Sequence, residues 1–273
     1  MRSLLGLIIL LALAAPVLAA TTQPVVVFAG TASQPPLEEA AKAFEEKTGI
    51  PVVLHLGGSG AMLSQIRLTG QGDLYIPGSP DYMDKAKDFG LVTDNVSRLA
   101  YLIPAILVAK GNPHRITGLK DLTRPGLRIG LADPESVCVG LYAVELLETN
   151  GIAEKVKPNV HGMVESCAKA AAMIPLNLVD VVLGWREFAP WNREVMDVVL
   201  IKGEEIPRLA YIPAAPLLHS HNPKGAAAFI AFLKSSEGQA FFEKWGYFTS
   251  ESSARQFASR ARIGGSYTLP EGW

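Results

Sequence analysis

From residue 25 onward the chain alternates short β-branched, apolar runs with segments whose apolar positions recur every three to four residues, the pattern of strands alternating with amphipathic helices. VVVFAG (25–30) reads as a buried parallel strand. PLEEAAKAFEEKTG (36–49) reads as a helix with Leu37, Ala40, Ala41 and Phe44 on one face and Gly49 at its C-terminal end. PVVLHL (51–56), SGAMLSQIRLTG (59–70), DLYIPG (73–78) and SPDYMDKAKDFG (79–90) continue as strand, helix, strand and helix, the last capped by Ser79 or Asp81 and stopped by Gly90. Such a β-α-β-α-β-α order predicts a parallel sheet covered on both faces.

The pattern then restarts. AILVAKG (105–111) and RIGLAD (128–133) are predicted strands, CVGLYAVELLETNG (138–151) and VESCAKAAAMIPLN (164–177) helices, and VDVVLGW (179–185) and MDVVLI (196–201) strands. After YIPAAPLL (211–218) comes a long amphipathic helix, NPKGAAAFIAFLKSSEGQAFFEKWG (222–246), broken near Ser235–Gly238. Two α/β lobes follow, one from residues 21–104 with 212–250 and one from 105–211, the chain crossing between them near 104 and 211. A ligand is expected in the cleft, at the C-terminal ends of strands where helices begin. The polar segment 251–273 is expected to be partly disordered or draped over the surface.

The N-terminus does not fit this alternation. Met1-Arg2, an apolar run from Leu4 to Leu13 and the small-residue stretch APVLAA read as a secretory signal over residues 1–20, too short to span a bilayer and without a cysteine to accept lipid. The rest is therefore expected to be soluble and exported to the periplasm. Lys plus Arg (25) nearly equals Asp plus Glu (26) and no basic tract is present, which argues against a nucleic-acid or anionic-membrane surface. Two cysteines, Cys138 and Cys167, in an exported chain favour a disulfide. Neither a CxxC spacing nor a cysteine–histidine cluster supports a metal site.

Three predicted strand-to-helix turns share one composition. FAGTASQPP (28–36), HLGGSGAM (55–62) and ADPESVCVG (132–140) supply small residues, free backbone amides and, in the first two, hydroxyls. Helix starts carry unsatisfied N–H groups and a partial positive charge, so several of them converging on one cleft favour an anion without lysine or arginine. Taken singly, Gly57, Gly58 and Gly60 serve equally as tight-bend residues, and Thr31, Ser33 and Ser59 as helix caps. In VVLGWREFAPW (181–191), Arg186 follows a buried strand between Trp185 and Phe188. It either reaches an oxyanion in the cleft or forms an ordinary ion pair with Glu187 or Glu194.

Enzymatic readings lack parts. GGSGAM has neither the Gly-Lys-Ser/Thr ending of a nucleotide-binding loop nor the Gly-x-Ser-x-Gly nucleophile elbow, and His55, His114, His161, His219 and His221 form no metal-ligand motif. An exported serine hydrolase acting through Ser59 remains as the alternative of a different class, which labelling by a fluorophosphonate probe would reveal.

VFAGTASQPPLEEAAKAFEEKTG, GGSGAMLSQIRLTGQGDLYIPGSPDYMDKA, ADPESVCVGLYAVELL, VDVVLGW and FIAFLKSSEGQAFFEKWGY together resemble the periplasmic molybdate/tungstate-binding proteins, the ModA-like solute-binding subunits of ABC importers, over about Val25 to Phe248. The resemblance implies an α/β type II periplasmic binding fold: two α/β lobes with central mixed sheets, joined by two crossovers and closing on a tetrahedral oxyanion that is not chemically changed. Carried onto this chain, it places hydroxyl ligands at Thr31 (or Ser33) and Ser59, and backbone amide donors at Val139 and near Ser166. It implies a monomer with no catalytic residues, no cofactor, no metal beyond the oxyanion itself, and a permease in the inner membrane as partner. The family's tyrosine after the strand matching VDVVLGW is absent, Leu183, Gly184, Trp185 and Arg186 standing there instead. That departure leaves room for another oxyanion or a small anionic ligand held by Arg186. The cysteines adjoin the implied ligands, either stapling the second-lobe turns or, as thiols, facing the cleft and favouring a thiophilic ligand.

Overall fold

The computed structural model describes residues 23–273, so the expected signal segment lies outside the described residues. Two mixed sheets organise the chain. The first contains β1 (Val25–Gly30), β2 (Val52–Gly57), β3 (Leu74–Ile76), β4 (Ser97–Leu102), β10 (Arg208–Pro216) and β11 (Arg262–Ile263), in the order β11-β10-β3-β1-β2 with β4 also paired to β10. The second contains β5 (Pro104–Ala109), β6 (Ile129–Ala132), β7 (Val160–Val164), β8 (Val181–Trp185) and β9 (Met196–Leu200), in the order β7-β6-β8-β5-β9. β1 runs parallel to β2 and β3, and β6 parallel to β7 and β8, whereas β10 and β5 lie antiparallel to their neighbours β3, β4, β8 and β9.

Helices α1 (Gln34–Thr48), α2 (Ser59–Thr69), α3 (Pro80–Asp88), α7 (Pro223–Lys234) and α8 (Ser236–Lys244) go with the first sheet, and α4 (Cys138–Thr149), α5 (Ala153–Val156) and α6 (Cys167–Ala172) with the second. α1 buries the expected Leu37, Ala40, Ala41 and Phe44, and Phe44 meets Phe229 edge-on at 5.1 Å. The predicted break in the last long helix occurs at Ser235, whose hydroxyl accepts from Gly238 N–H and so starts α8 afresh. α6 is shorter than predicted because Pro175 disfavours helical backbone in the residue before it. The tail packs on the body: α9 (Glu251–Arg255) and β11 fold back, burying Ala254, Ala258 and Ala261, and Trp273 donates its indole N–H to Glu148 at 2.7 Å.

The chain passes from first sheet to second at Ile103 and returns through residues 201–207, so the second passage ends earlier than residue 211. Each passage is pinned by a buried ionisable group. Glu187, fully buried, accepts from Ile103 N–H at 3.2 Å and lies 3.5 Å from the Arg186 guanidinium. At the other passage Arg208, also fully buried, binds Asp81 of α3 at 2.7 Å, Glu145 of α4 at 2.6 Å and the Gly265 carbonyl of the tail. Its guanidinium stacks on the Tyr142 ring, 3.9 Å from the centroid, and Arg262 adds a second contact to Glu145 at 3.1 Å. This cluster ties both sheets and the tail to the strand that connects them.

Burial pushes the Glu187 carboxyl up from 4.5 to about 7, against the opposing pull of Arg186. The folded chain then binds more protons than the unfolded one between those two values, so stability declines as pH rises through that window. Glu187→Gln removes the ionisation while an amide oxygen can still accept from Ile103. It is expected to flatten the pH dependence and to stabilise the protein at pH 8 by about 1–3 kcal/mol, measured by urea melts between pH 4 and 8.

Candidate functional site

β1 ends at Gly30, and a single 3-10 turn (Thr31–Ser33) carries the chain into α1. Here Thr31, on the first-sheet side, accepts at its Oγ1 a hydrogen bond of 3.1 Å from the N–H of Ala168, in the first turn of α6 on the second-sheet side. Ser33 is turned away, its hydroxyl donating to Gly30 O at 3.4 Å within its own turn. β2 leads through Gly57 and Gly58 into α2, whose first residue, Ser59, is buried and accepts at Oγ from Gly78 N–H at 3.0 Å. The turns must be built of small residues. A Cβ at Gly30 would stand 2.7 Å from Ser59 Oγ, and one at Gly78 would stand 2.6 Å from Cys138 Sγ and 2.7 Å from Ala32 Cβ.

On the second-sheet side, Asp133 shapes the turn before α4 by accepting from Glu135 N–H at 3.0 Å and from the Ser136 hydroxyl. α4 then starts at Cys138. The amide of Val139 and the indole N–H of Trp185, the last residue of β8, both face the Cys167 sulfur. Burial, and then the neighbouring Cys138 sulfur, hold the Cys167 thiol well above its ordinary pKa. Ser166 caps α6, its Oγ accepting from Lys169 N–H at 3.2 Å.

Thr31, Ser59, Cys138, Val139, Cys167 and Ala168 are thus brought to one region between the sheets. Direct contacts close it: Gly60 N–H donates to Ser136 O at 2.9 Å and Tyr82 OH to Glu135 O at 3.0 Å. The centre is filled by two buried sulfurs, 3.6 Å apart. At that separation they are two thiols, which corrects the expectation of a disulfide between Cys138 and Cys167, because a bonded pair stands at about 2.05 Å. A small cavity of about 10 Å³ lies between Val139, Tyr142, Leu183 and Trp185.

Two further expectations change. Arg186 does not reach for an anion. Its Nη1 donates to Gly246 O at 2.8 Å, and its guanidinium lies over the rings of Phe248 and Phe257 at 4.8 and 5.3 Å. Nor does any histidine hydrogen-bond to Ser59 among the described residues, where Ser59 Oγ instead accepts from Gly78 N–H. The sequence reading missed Ala168, whose contribution is only a peptide N–H, and Gly78, although the small residues of IPGSP marked that turn. It also passed over Trp185 for its charged neighbour, yet the Trp185 indole N–H is fully buried and finds no oxygen or nitrogen acceptor.

A family model described as bacterial extracellular solute-binding protein matches residues 25–248. The molybdate-binding protein ModA of Escherichia coli is 24% identical over 230 residues, covering 82% of this chain and 88% of the relative. Among solved structures, the Azotobacter vinelandii periplasmic molybdate-binding protein superimposes with a TM-score of 0.74 at 17% identity, covering 83% of this chain and 100% of that one. The sulfate-binding protein SubI of Mycobacterium tuberculosis reaches a TM-score of 0.73 at 17% identity, covering 89% of this chain and 94% of its own.

Proposed function

The chain belongs to the bacterial extracellular solute-binding proteins, and on that footing we propose that it captures a tetrahedral oxyanion, molybdate or tungstate, and hands it to the permease of an ABC importer. The family binds solutes outside the cytoplasm rather than transforming them. The observation that carries the reading is the hydrogen bond from Ala168 N–H to Thr31 Oγ1. It brings a hydroxyl from one half and a peptide N–H from the other to a single point, with the Ser59 hydroxyl and Val139 amide nearby. Between them, four neutral donors can dehydrate a dianion without a cationic side chain, as preorganised dipoles do. An anion entering there takes over both groups of the Thr31–Ala168 pair. Closure of the two halves then adds contacts that neither makes alone.

The relatives named for molybdate support the oxyanion reading, and cavity size is what would choose within that class. Thermal melts in molybdate, tungstate, sulfate and phosphate decide the choice. At a hundredfold excess over Kd the bound anion adds about 2.7 kcal/mol, or about 5–10 °C in Tm. Thr31→Ala combined with Ser59→Ala is expected to abolish that shift. No shift with any anion, or a shift that survives the double substitution, would defeat the reading.

A further inference from the structure

We propose that Cys138 and Cys167 form a dithiol chelate for trivalent arsenic or antimony hydroxide, so that this cleft takes a thiophilic oxyacid through sulfur and oxygen together. The inference rests on the reading of the cleft as the ligand site and names a second ligand class for it.

Three observations carry it. First, the thiols are in contact at 3.6 Å and buried at the point where the turns of both halves meet. Metal–thiolate bonds of about 2.3 Å opened to a near-tetrahedral angle span about 3.8 Å between sulfurs, whereas a linear two-coordinate ion needs about 4.6 Å. The pair therefore suits a bent chelate. Second, among the described residues no group of three His, Cys, Asp or Glu side chains could hold a metal ion. A cation that demands three or four protein ligands is poorly served, while a trivalent metalloid brings its own oxygen. Third, the indole N–H of Trp185 is fully buried beside the Cys167 sulfur and has no oxygen or nitrogen acceptor. It is a donor within the same site for the remaining hydroxyl of a sulfur-bound metalloid. The Val139 amide faces the same sulfur, and an environment of N–H donors favours an oxygen-bearing neutral species over a bare cation.

The chemistry balances without an oxidant. Each thiol displaces one hydroxide from As(OH)₃, the thiol proton leaves with it as water, and two As–S bonds replace two As–O bonds. Arsenic stays trivalent, two waters are released and the site gains no net charge. The sulfurs are buried between halves that meet at Gly58 and Gly60, so the reagent enters when the halves part.

The test uses the full exported chain, purified without reductant, with phenylarsine oxide and arsenite as probes. Intact-mass measurement should show two free thiols and, with phenylarsine oxide, one adduct per chain that a dithiol such as 2,3-dimercaptopropanol reverses and an equal concentration of monothiol does not. Cys138→Ser and Cys167→Ser should each lose the adduct while their far-UV circular dichroism stays that of the wild type. Trp185→Phe keeps the ring but removes the N–H. It should weaken arsenite about tenfold, the worth of one buried hydrogen bond, and leave phenylarsine oxide unchanged, since its bound arsenic carries a phenyl group in place of the hydroxyl. A disulfide in the purified chain, no adduct, or an adduct equally reversed by monothiol overturns the proposal. Arsenical binding without any oxyanion response would instead support the chelate and remove the oxyanion reading, and the converse result would do the opposite.

Discussion

Arg208→Met is expected to cost about 3–5 kcal/mol, the usual penalty for stripping one partner from a buried ion cluster, and to lower Tm by about 6–20 °C. The two carboxylates will not suffer equally. Glu145 keeps Arg262 at 3.1 Å, but the only cation paired with Asp81 among the described residues is Arg208, and its second oxygen already lacks a partner. Adding Asp81→Asn to Arg208→Met should therefore restore more stability than adding Glu145→Gln, because it removes the one buried charge left without compensation. Differential scanning calorimetry of the three variants gives the order directly. A loss below about 2 °C for Arg208→Met would mean that methionine's packing replaces the ions at no cost, as happens in some buried clusters, and that the cluster does not hold the passage between sheets.

Arg208 also marks where sequence reading stops. A single arginine in the apolar run RLAYIPAAP hints at burial, yet its partners lie 127 and 63 residues away, and no local pattern names them. The α/β alternation was legible because strands such as VVVFAG and helices such as α1 carry their own periodicity. β4 and β7 were not, since six and five residues with mixed burial give too short a pattern to separate from loop. The same division runs through the site. Thr31 and Ser59 announced themselves by hydroxyls in small-residue turns. Ala168 could not, because a peptide N–H is common to almost every residue. Arg186 drew attention by its charge, although Phe248 and Phe257, which hold its guanidinium, come more than 60 positions later in the chain. That the two thiols meet depends on how α4 and α6 are set on β6 and β8, which the spacing of their cysteines does not reveal.

The second large effect is expected at Gly58, where substitution tests closure itself. Its backbone, at φ −63° and ψ 142°, suits any residue, so alanine carries no conformational penalty there. A Cβ at that position would nevertheless stand 2.5 Å from Glu165 O and 3.3 Å from Ser136 O, both on the opposite half. Backbone carbonyls cannot swing aside, so the whole cost falls on the closed form and none on the open one. A ligand that binds by drawing the halves together must then overcome that cost, and Gly58→Ala should weaken the oxyanion identified in the melting screen by about 100-fold, close to 2.8 kcal/mol. The ligand-free Tm should fall much less, because the open form relieves the clash. Gly60→Ala provides the contrast. Its Cβ would meet Ser136 O and the Tyr82 ring at 3.1 Å, a milder intrusion, and alanine inside α2 adds up to about 1 kcal/mol of helix stability. That variant should melt at or above wild type while binding only several-fold more weakly. Calorimetric titration of both variants distinguishes the mechanisms: if Gly58→Ala binds as tightly as wild type, the halves do not need to meet at Glu165 to hold the ligand, and affinity must come from one side of the cleft alone.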